Sequence, residues 1–219
     1  MDLDFNQIVP YIPFVLEGIW ATLQFVIVSI VVGLLLGTVL ALCKITKISI
    51  LRVFANVYTS IFRGTPLILQ LMLIHYAVPQ ITGYDIPAFL SAILAFGLNS
   101  AAYVSEIIRA GIMAVDKGQI EAAEALGVPY KPMMLHIIMP QAVKNILPAL
   151  MNEFITLTKE SAIVSTIGYL DLMRRAQIVQ ADIYRAFEPL LFAGAIYWVM
   201  VFILTKIGGL VERRLRQSD

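Results

Sequence analysis

Cysteine and histidine, the side chains behind most metal and nucleophile chemistry, are almost missing here: the sequence has one cysteine, Cys43, and two histidines, His75 and His136. A single cysteine cannot close an intramolecular disulfide, and neither it nor the histidines have partners at metal-ligand or nucleophile–base spacing. An enzyme is therefore a poor fit, no metal or cofactor is expected, and Cys43 reads as packing. Charge is scarce too. Only 14% of the 219 residues are charged, and 16 basic against 15 acidic residues leave a net charge of +1, without the clustered basic face that nucleic acid requires. No GxxxxGK[ST] loop occurs, which excludes ATP binding by that route. No Lys or Arg precedes Lys44, whereas Asp2, Asp4 and Glu17 do. The basic start of a secretory signal is thus absent, and the expectation is a retained amino terminus on the outer side.

What is abundant is apolar surface. Hydrophobic residues make up 59% of the chain and the mean hydropathy is +0.83, against about 45–50% apolar residues in soluble domains. Lipid is the solvent this implies. With about 20 apolar residues needed per crossing, the pattern predicts an all-α polytopic membrane protein of about five spans: roughly residues 19–43, 52–79, 86–108, 141–163 and 189–210. Ser29, Gly33, Gly37 and Ala41 recur every four residues in the first span, a face of small residues that would let another helix approach closely. The second span is interrupted by Arg63-Gly64-Thr65-Pro66. An outer amino terminus and a cytoplasmic carboxy terminus put eleven of the sixteen basic residues in inner segments, Lys44 among them, as the positive-inside rule asks. The outer stretch 168–188 reads as a surface helix, with Leu170, Met173, Ile178 and Ile183 as its scattered apolar positions.

The one long inner connection, within residues 112–140, has a structure of its own. Residues 119–126 form a short helix rich in Ala and Glu, stopped by Gly127 and followed by Pro129 and Pro132. Glu121 and Glu124 would sit poorly against an anionic leaflet, so the face suits a protein partner. Glu121-Ala122-Ala123, Gly127, Ile137 and Met139-Pro140, at these offsets, resemble the EAA loop of ATP-binding-cassette importer permeases, with Met139 as the departure from the usual Leu. Arg63-Gly64-Thr65-Pro66-Leu67 and Lys159-Glu160-Ser161 are similar to motifs of the polar amino-acid uptake permeases. The resemblance spans the chain and implies one permease domain, residues 1–219, of the type I importer fold, in a bacterial or archaeal inner membrane. It also implies partners: a cytoplasmic ATPase that carries ATP and Mg, a second permease (a copy or a sister chain), and an extracytoplasmic amino-acid-binding protein. Glu121, Ala122, Ala123, Leu126 and Gly127 would couple the ATPase.

Glu153 is the informative ionisable group. It falls near the middle of the fourth span with no opposite charge three or four positions away, where a charge costs about 2.5–3.5 kcal/mol on insertion scales. Pairing with Arg63 across the bundle, or protonation, would be a structural explanation. The functional one joins Glu153 to the break in the second span. There Pro66 suits a first helical position and Thr65 an N-cap, so free N–H groups would face an anion. An N–H cradle for an α-carboxylate, with a carboxylate further off, describes a free amino acid with a cationic side chain. Gly64, Thr65, Leu67, Gln70, Asn99, Asn152 and Glu153 are the candidate substrate contacts. Asn152-Glu153 also resembles the pair found in permeases for arginine, histidine and lysine. Import of a basic amino acid, arginine first, is the expectation. The alternatives are an importer of glutamine or another polar amino acid, with Glu153 structural, and a stand-alone transporter using Glu153 and Glu160 as proton-linked groups.

Overall fold

The computed structural model describes residues 3–216, the last two by their backbone only; Asp2 lies outside the described residues. They are all-helical, with no strand among them. A 3-10 turn, Phe5–Tyr11, leads into α1 (Ile12–Ile45), which Pro13 opens at a position where its missing N–H costs nothing. Then follow α2 (Ser49–Gly64), α3 (Leu67–Met72), α4 (Val78–Thr82), α5 (Ala88–Met113), α6 (Lys117–Ala125), α7 (Tyr130–Met133), α8 (Met139–Glu160), α9 (Leu172–Ile183) and α10 (Phe187–Arg216). Three helical stretches are long and apolar enough to cross a membrane: Phe5–Ile45, Ala88–Met113 and Phe187–Arg214. Ser49–Gly64 and Leu67–Thr82 make a fourth if that pair, bent by 102°, counts as one crossing. The expected fourth span, α8, has 22 residues, about 33 Å at 1.5 Å each. Lys144, Glu153, Lys159 and Glu160 leave it long enough to cross but more polar than the others.

Two prolines are absorbed in the same way. Pro79 and Pro140 would each press on the carbonyl four residues back. Each follows a π-helical turn, Leu73–Ala77 and Met134–Ile138, in which the closing N–H reaches five residues back, Val78 to Leu73 and Met139 to Met134. The wider turn lets the helix run on through the proline.

The centre of the bundle is the α1–α5 contact. The small-residue face of α1 is buried as expected: Ser29, Gly33, Gly37 and Ala41 all lie inside. A Cβ on Gly37 would stand 2.7 Å from Val104 Cβ and 2.9 Å from the Ala101 carbonyl oxygen, and one on Gly33 would stand 2.7 Å from Ser100 Oγ. Only glycine admits helix backbones this close. Phe25 and Phe96 meet edge to face, with ring centroids 5.3 Å apart, above the layer of Leu67, Leu71, Leu157 and Val164. Cys43 packs beside Leu40, Ala55 and Ala101.

Two expectations about the periphery change. Lys44 belongs to the last turn of α1, because that helix runs two residues past the expected end; its ammonium is buried, bonded to Ser105 Oγ at 2.9 Å and to Glu106, which Arg109 also holds. It is a packing charge, not a loop charge. Helix α9 does not lie on a surface with Leu170, Met173, Ile178 and Ile183 as its scattered apolar positions; Ile183 packs inward with Val15 and Met200. Leu172, Ala176 and Val179 are its buried positions, because Gly18 of α1 lets the Leu172 backbone approach so closely that a Cβ there would stand 2.5 Å from Leu172 Cα. Asp171 caps α9, accepting from the N–H groups of Met173 and Arg174, and also accepts from Tyr197 Oη at 3.2 Å. Burial outweighs these bonds and pushes the Asp171 carboxyl up to about 6.

Candidate functional site

The break between α2 and α3 follows from one residue pair. Pro66 forces the residue before it out of the α region, so Thr65 is extended (φ −122, ψ 148) and α2 stops at Gly64. Thr65 then closes α2, its hydroxyl donating to the Ile61 carbonyl at 2.9 Å. It is not the N-cap of α3. That position falls to Pro66, which has no capping side chain, and Leu67 is the first helical residue.

The turn leaves α2 carbonyls without helical partners, and two buried amides take them up. Gln70 Nε2 donates to the Phe62 carbonyl at 2.9 Å, to the Thr65 carbonyl at 3.2 Å and to Thr65 Oγ1 at 2.8 Å. Asn99 Nδ2, from α5, donates to the same Phe62 carbonyl at 3.0 Å and to Gln70 Oε1 at 3.1 Å. Gln70 and Asn99 thus staple the bend. Leu67 is buried in the central layer with Phe96 and Leu157, and Gly64 has open space where a Cβ would be.

Glu153 is buried on α8, with no cation in ion-pair reach among the described residues. Arg63 does not pair with it; the guanidinium lies over the Tyr103 ring, 5.3 Å from its centroid. Ser100 of α5 sets its buried hydroxyl beside the Glu153 carboxyl and meets no other polar group. Asn152 is turned away by the 100° between successive helical residues, exposed in a cleft against Thr205 and Gly208 of α10. The structure therefore groups Thr65, Gln70 and Asn99 at the bend, sets Glu153 with Ser100 between α5 and α8, and leaves Asn152 on another face. Sequence reasoning missed Ser100. Its place directly after Asn99 on the polar patch of α5 was the available signal.

Toward the other end, α6 carries Glu121, Ala122 and Ala123 and stops where expected. Gly127 is left-handed (φ 69), its N–H reaching the Glu124 carbonyl while Val128 N–H reaches Ala123, the two bonds of a Schellman stop. Ala123 is buried against Val115, Met133, Ile138, Ala142 and Ile146. Beside it, Leu126 is 82% and Tyr130 71% exposed, two large apolar side chains on a surface whose helix also shows Glu121 and Glu124. His75 and His136 bond to Ser91 Oγ and the Pro132 carbonyl, and no metal-holding cluster occurs among the described residues.

Comparisons with known proteins bear on the family and the fold. The model of the family described as "Binding-protein-dependent transport system inner membrane component" matches residues 29–217. Over 219 residues, all of both chains, the sequence is 58% identical to the arginine transport system permease protein ArtQ of Bacillus subtilis (strain 168). It is 50% identical over 206 residues, 94% of each chain, to the putative glutamine transport system permease protein GlnP of Rickettsia typhi. A chain of a solved amino acid ABC transporter shares 48% identity and superposes with a TM-score of 0.95, over 98% of this chain and 100% of that one.

Proposed function

This chain belongs to the binding-protein-dependent transport system inner membrane components, as the multi-pass permease of an amino-acid importer, and from that premise we propose that its cargo is a basic L-amino acid, arginine first. The observation that carries this reading is Glu153. It is a carboxylate buried inside the bundle with no cation in reach among the described residues, beside the Ser100 hydroxyl, which meets no other polar group. Both are groups that the charged, donor-rich end of a basic side chain would satisfy. The 58% identity to an arginine permease supports the same cargo.

In this reading the chain crosses the membrane five times, α8 included, with its amino terminus outside and carboxy terminus in the cytoplasm, as a single permease domain. Glu153 faces the cargo; Gly64, Thr65, Leu67, Gln70 and Asn99 shape the bend beside the pathway. A second permease chain completes the pathway, and a binding protein delivers cargo from outside. The segment 112–140 docks a separate ATPase, which hydrolyses ATP with Mg; this chain needs no cofactor of its own. Glu121 and Glu124, with the exposed Leu126 and Tyr130, form the docking face. Uptake by the assembled transporter tests the cargo. Glu153→Gln should abolish arginine uptake while the ATPase still co-purifies, and unchanged uptake would sink the assignment.

The 50% identity to a putative glutamine permease supports a second reading, a neutral polar cargo with Glu153 as a structural group. Competition separates the two: unlabelled glutamine displacing labelled arginine as well as lysine does would favour the neutral cargo.

A further inference from the structure

A second hollow, of about 410 Å³, opens between α5 and α8 at the end of the bundle that carries α6 and α7. That is within the usual size of small-molecule sites, about 300–1,000 Å³. Its polar lining is Arg63, Tyr103, Glu106 and Asn145. Arg63 is exposed and, among the described residues, meets no carboxylate; its guanidinium lies over the Tyr103 ring, 5.3 Å from the centroid, and its N–H groups suit the paired bonds that a carboxylate accepts. Glu106 cannot serve Arg63, because Lys44 and Arg109 already hold both its oxygens. Lys44 and Arg109 hold Glu106 without lining the hollow, so the group as a whole has three cations against one carboxylate. Asn145 donates Nδ2 to the Gly111 carbonyl at 3.4 Å, which points its oxygen lone pairs elsewhere, available to an ammonium. An unpaired arginine in a membrane bundle calls for such a reason.

We propose that this hollow is a second binding site, which holds a free amino acid by its α-carboxylate on Arg63, with Asn145 Oδ1 accepting from the ammonium group. Neither Ser100 nor Glu153 lines it. Asn145 lies eight residues earlier on α8, about 12 Å nearer the loop end, and the recognised group is the carboxylate instead of the side-chain cation. The inference rests on the proposed function, under which cargo leaving Glu153 for the cytoplasm passes this end. Cargo accumulated there occupies the hollow and slows further import.

Proteoliposomes holding the permease with its ATPase and lumenal ATP, supplied outside with binding protein and labelled arginine, test it. Unlabelled L-arginine or agmatine, its decarboxylated analogue, is preloaded inside. Lumenal arginine should slow uptake and agmatine at the same concentration should not. Arg63→Gln should raise the half-inhibiting arginine concentration at least about tenfold, the loss expected for a charge-assisted bond. Should Arg63→Gln fail to assemble with the ATPase, Asn145→Ala decides in its place, with an expected rise of several-fold. Equal inhibition by agmatine, no inhibition by lumenal arginine, or variant curves that coincide with the parent would overturn the site. Absence of arginine uptake by the parent, even with an empty lumen, would instead overturn the proposed cargo.

Discussion

Gly97 of α5 faces Val32 of α1 across the central contact of the bundle, and Gly97→Ala tests how that contact is built. A Cβ at Gly97 would stand 2.9 Å from Val32 Cγ1 and 3.2 Å from Val32 Cβ, with the Ser29 carbonyl at a comfortable 3.6 Å. The obstacle is thus a side chain, but a stiff one, since valine in a helix keeps one χ1 rotamer. Overpacking of this kind costs about 1–3 kcal/mol, while Ala in place of Gly returns about 1 kcal/mol of helix propensity. Gly97→Ala alone should therefore destabilise by roughly 1 kcal/mol. Val32→Ala removes the obstructing methyl, leaving only the 3.2 Å contact, so Gly97→Ala made in that background should be neutral or stabilising. The double-mutant cycle should return a coupling of about 1–2 kcal/mol. Gly37→Ala is the control that Val104→Ala should not rescue well. There the added methyl meets Val104 Cβ at 2.7 Å and the Ala101 backbone oxygen at 2.9 Å, atoms that truncation to alanine keeps. Equilibrium unfolding of the purified variants in detergent measures all of these. Additive effects at Gly97 and Val32, or equal rescue at both sites, would refute the reasoning.

The loop after α6 gives a sharper contrast, because nothing lies within 4 Å of a Cβ on Gly127 and only its left-handed backbone restricts replacement. Gly127→Val should weaken co-purification of the ATPase and lower transport, whereas Gly127→Asn, which tolerates that conformation, should retain most of both; equal effects would place the requirement elsewhere. At α9, Asp171 binds its proton more tightly in the folded state (about 6) than unfolded (3.8), so its contribution is complete below the lower value and is lost as pH rises through about 6, a difference of about 3 kcal/mol. Asp171→Asn should flatten the pH dependence of thermal stability between pH 4 and 7 while keeping the helix cap, and Asp171→Ala should lose about 1 kcal/mol more through the cap.

Features legible in the sequence are those set by local rules. Pro66 dictates its own break, Gly127 the stop of α6, and four-residue spacing the buried face of Ser29, Gly33, Gly37 and Ala41. Thr65 looks like an N-cap beside a proline, but its hydroxyl takes the competing local bond, back to the Ile61 carbonyl. Features that depend on a partner far along the chain were not legible. Gln70 and Asn99 are 29 residues apart, and nothing in either neighbourhood says that both serve the Phe62 carbonyl. The buried face of α9 was misread because an amphipathic helix with a weak pattern takes its orientation from what it docks on, here Gly18. Lys44 was counted as a loop charge because its partners, Ser105 and Glu106, lie 61 and 62 positions away.

The same contrast separates the parts of the bundle that can move from those that cannot. Along α1 and α5 the backbones touch through glycine, so any sliding brings atoms already below 3 Å of a virtual Cβ into collision; this pair must travel as one body. The α2–α3 bend is held instead by a few hydrogen bonds from Gln70 and Asn99, each worth about 1 kcal/mol net. Between these, α8 begins in the apolar cluster with Ala123, Met133 and Ile138 and carries Glu153 fourteen residues beyond Met139, about 21 Å along a single helix. Pro148 lies inside that helix, which runs on through it to Glu160; a proline there gives up one backbone bond and favours a kink. Force applied at α6 therefore reaches the Glu153 carboxylate through one rod with one flexible point, while the surface that Glu153 faces, Ser100 on α5, stays locked to α1. That combination, a fixed wall opposite a hinged one, is what changing access to a buried carboxylate requires.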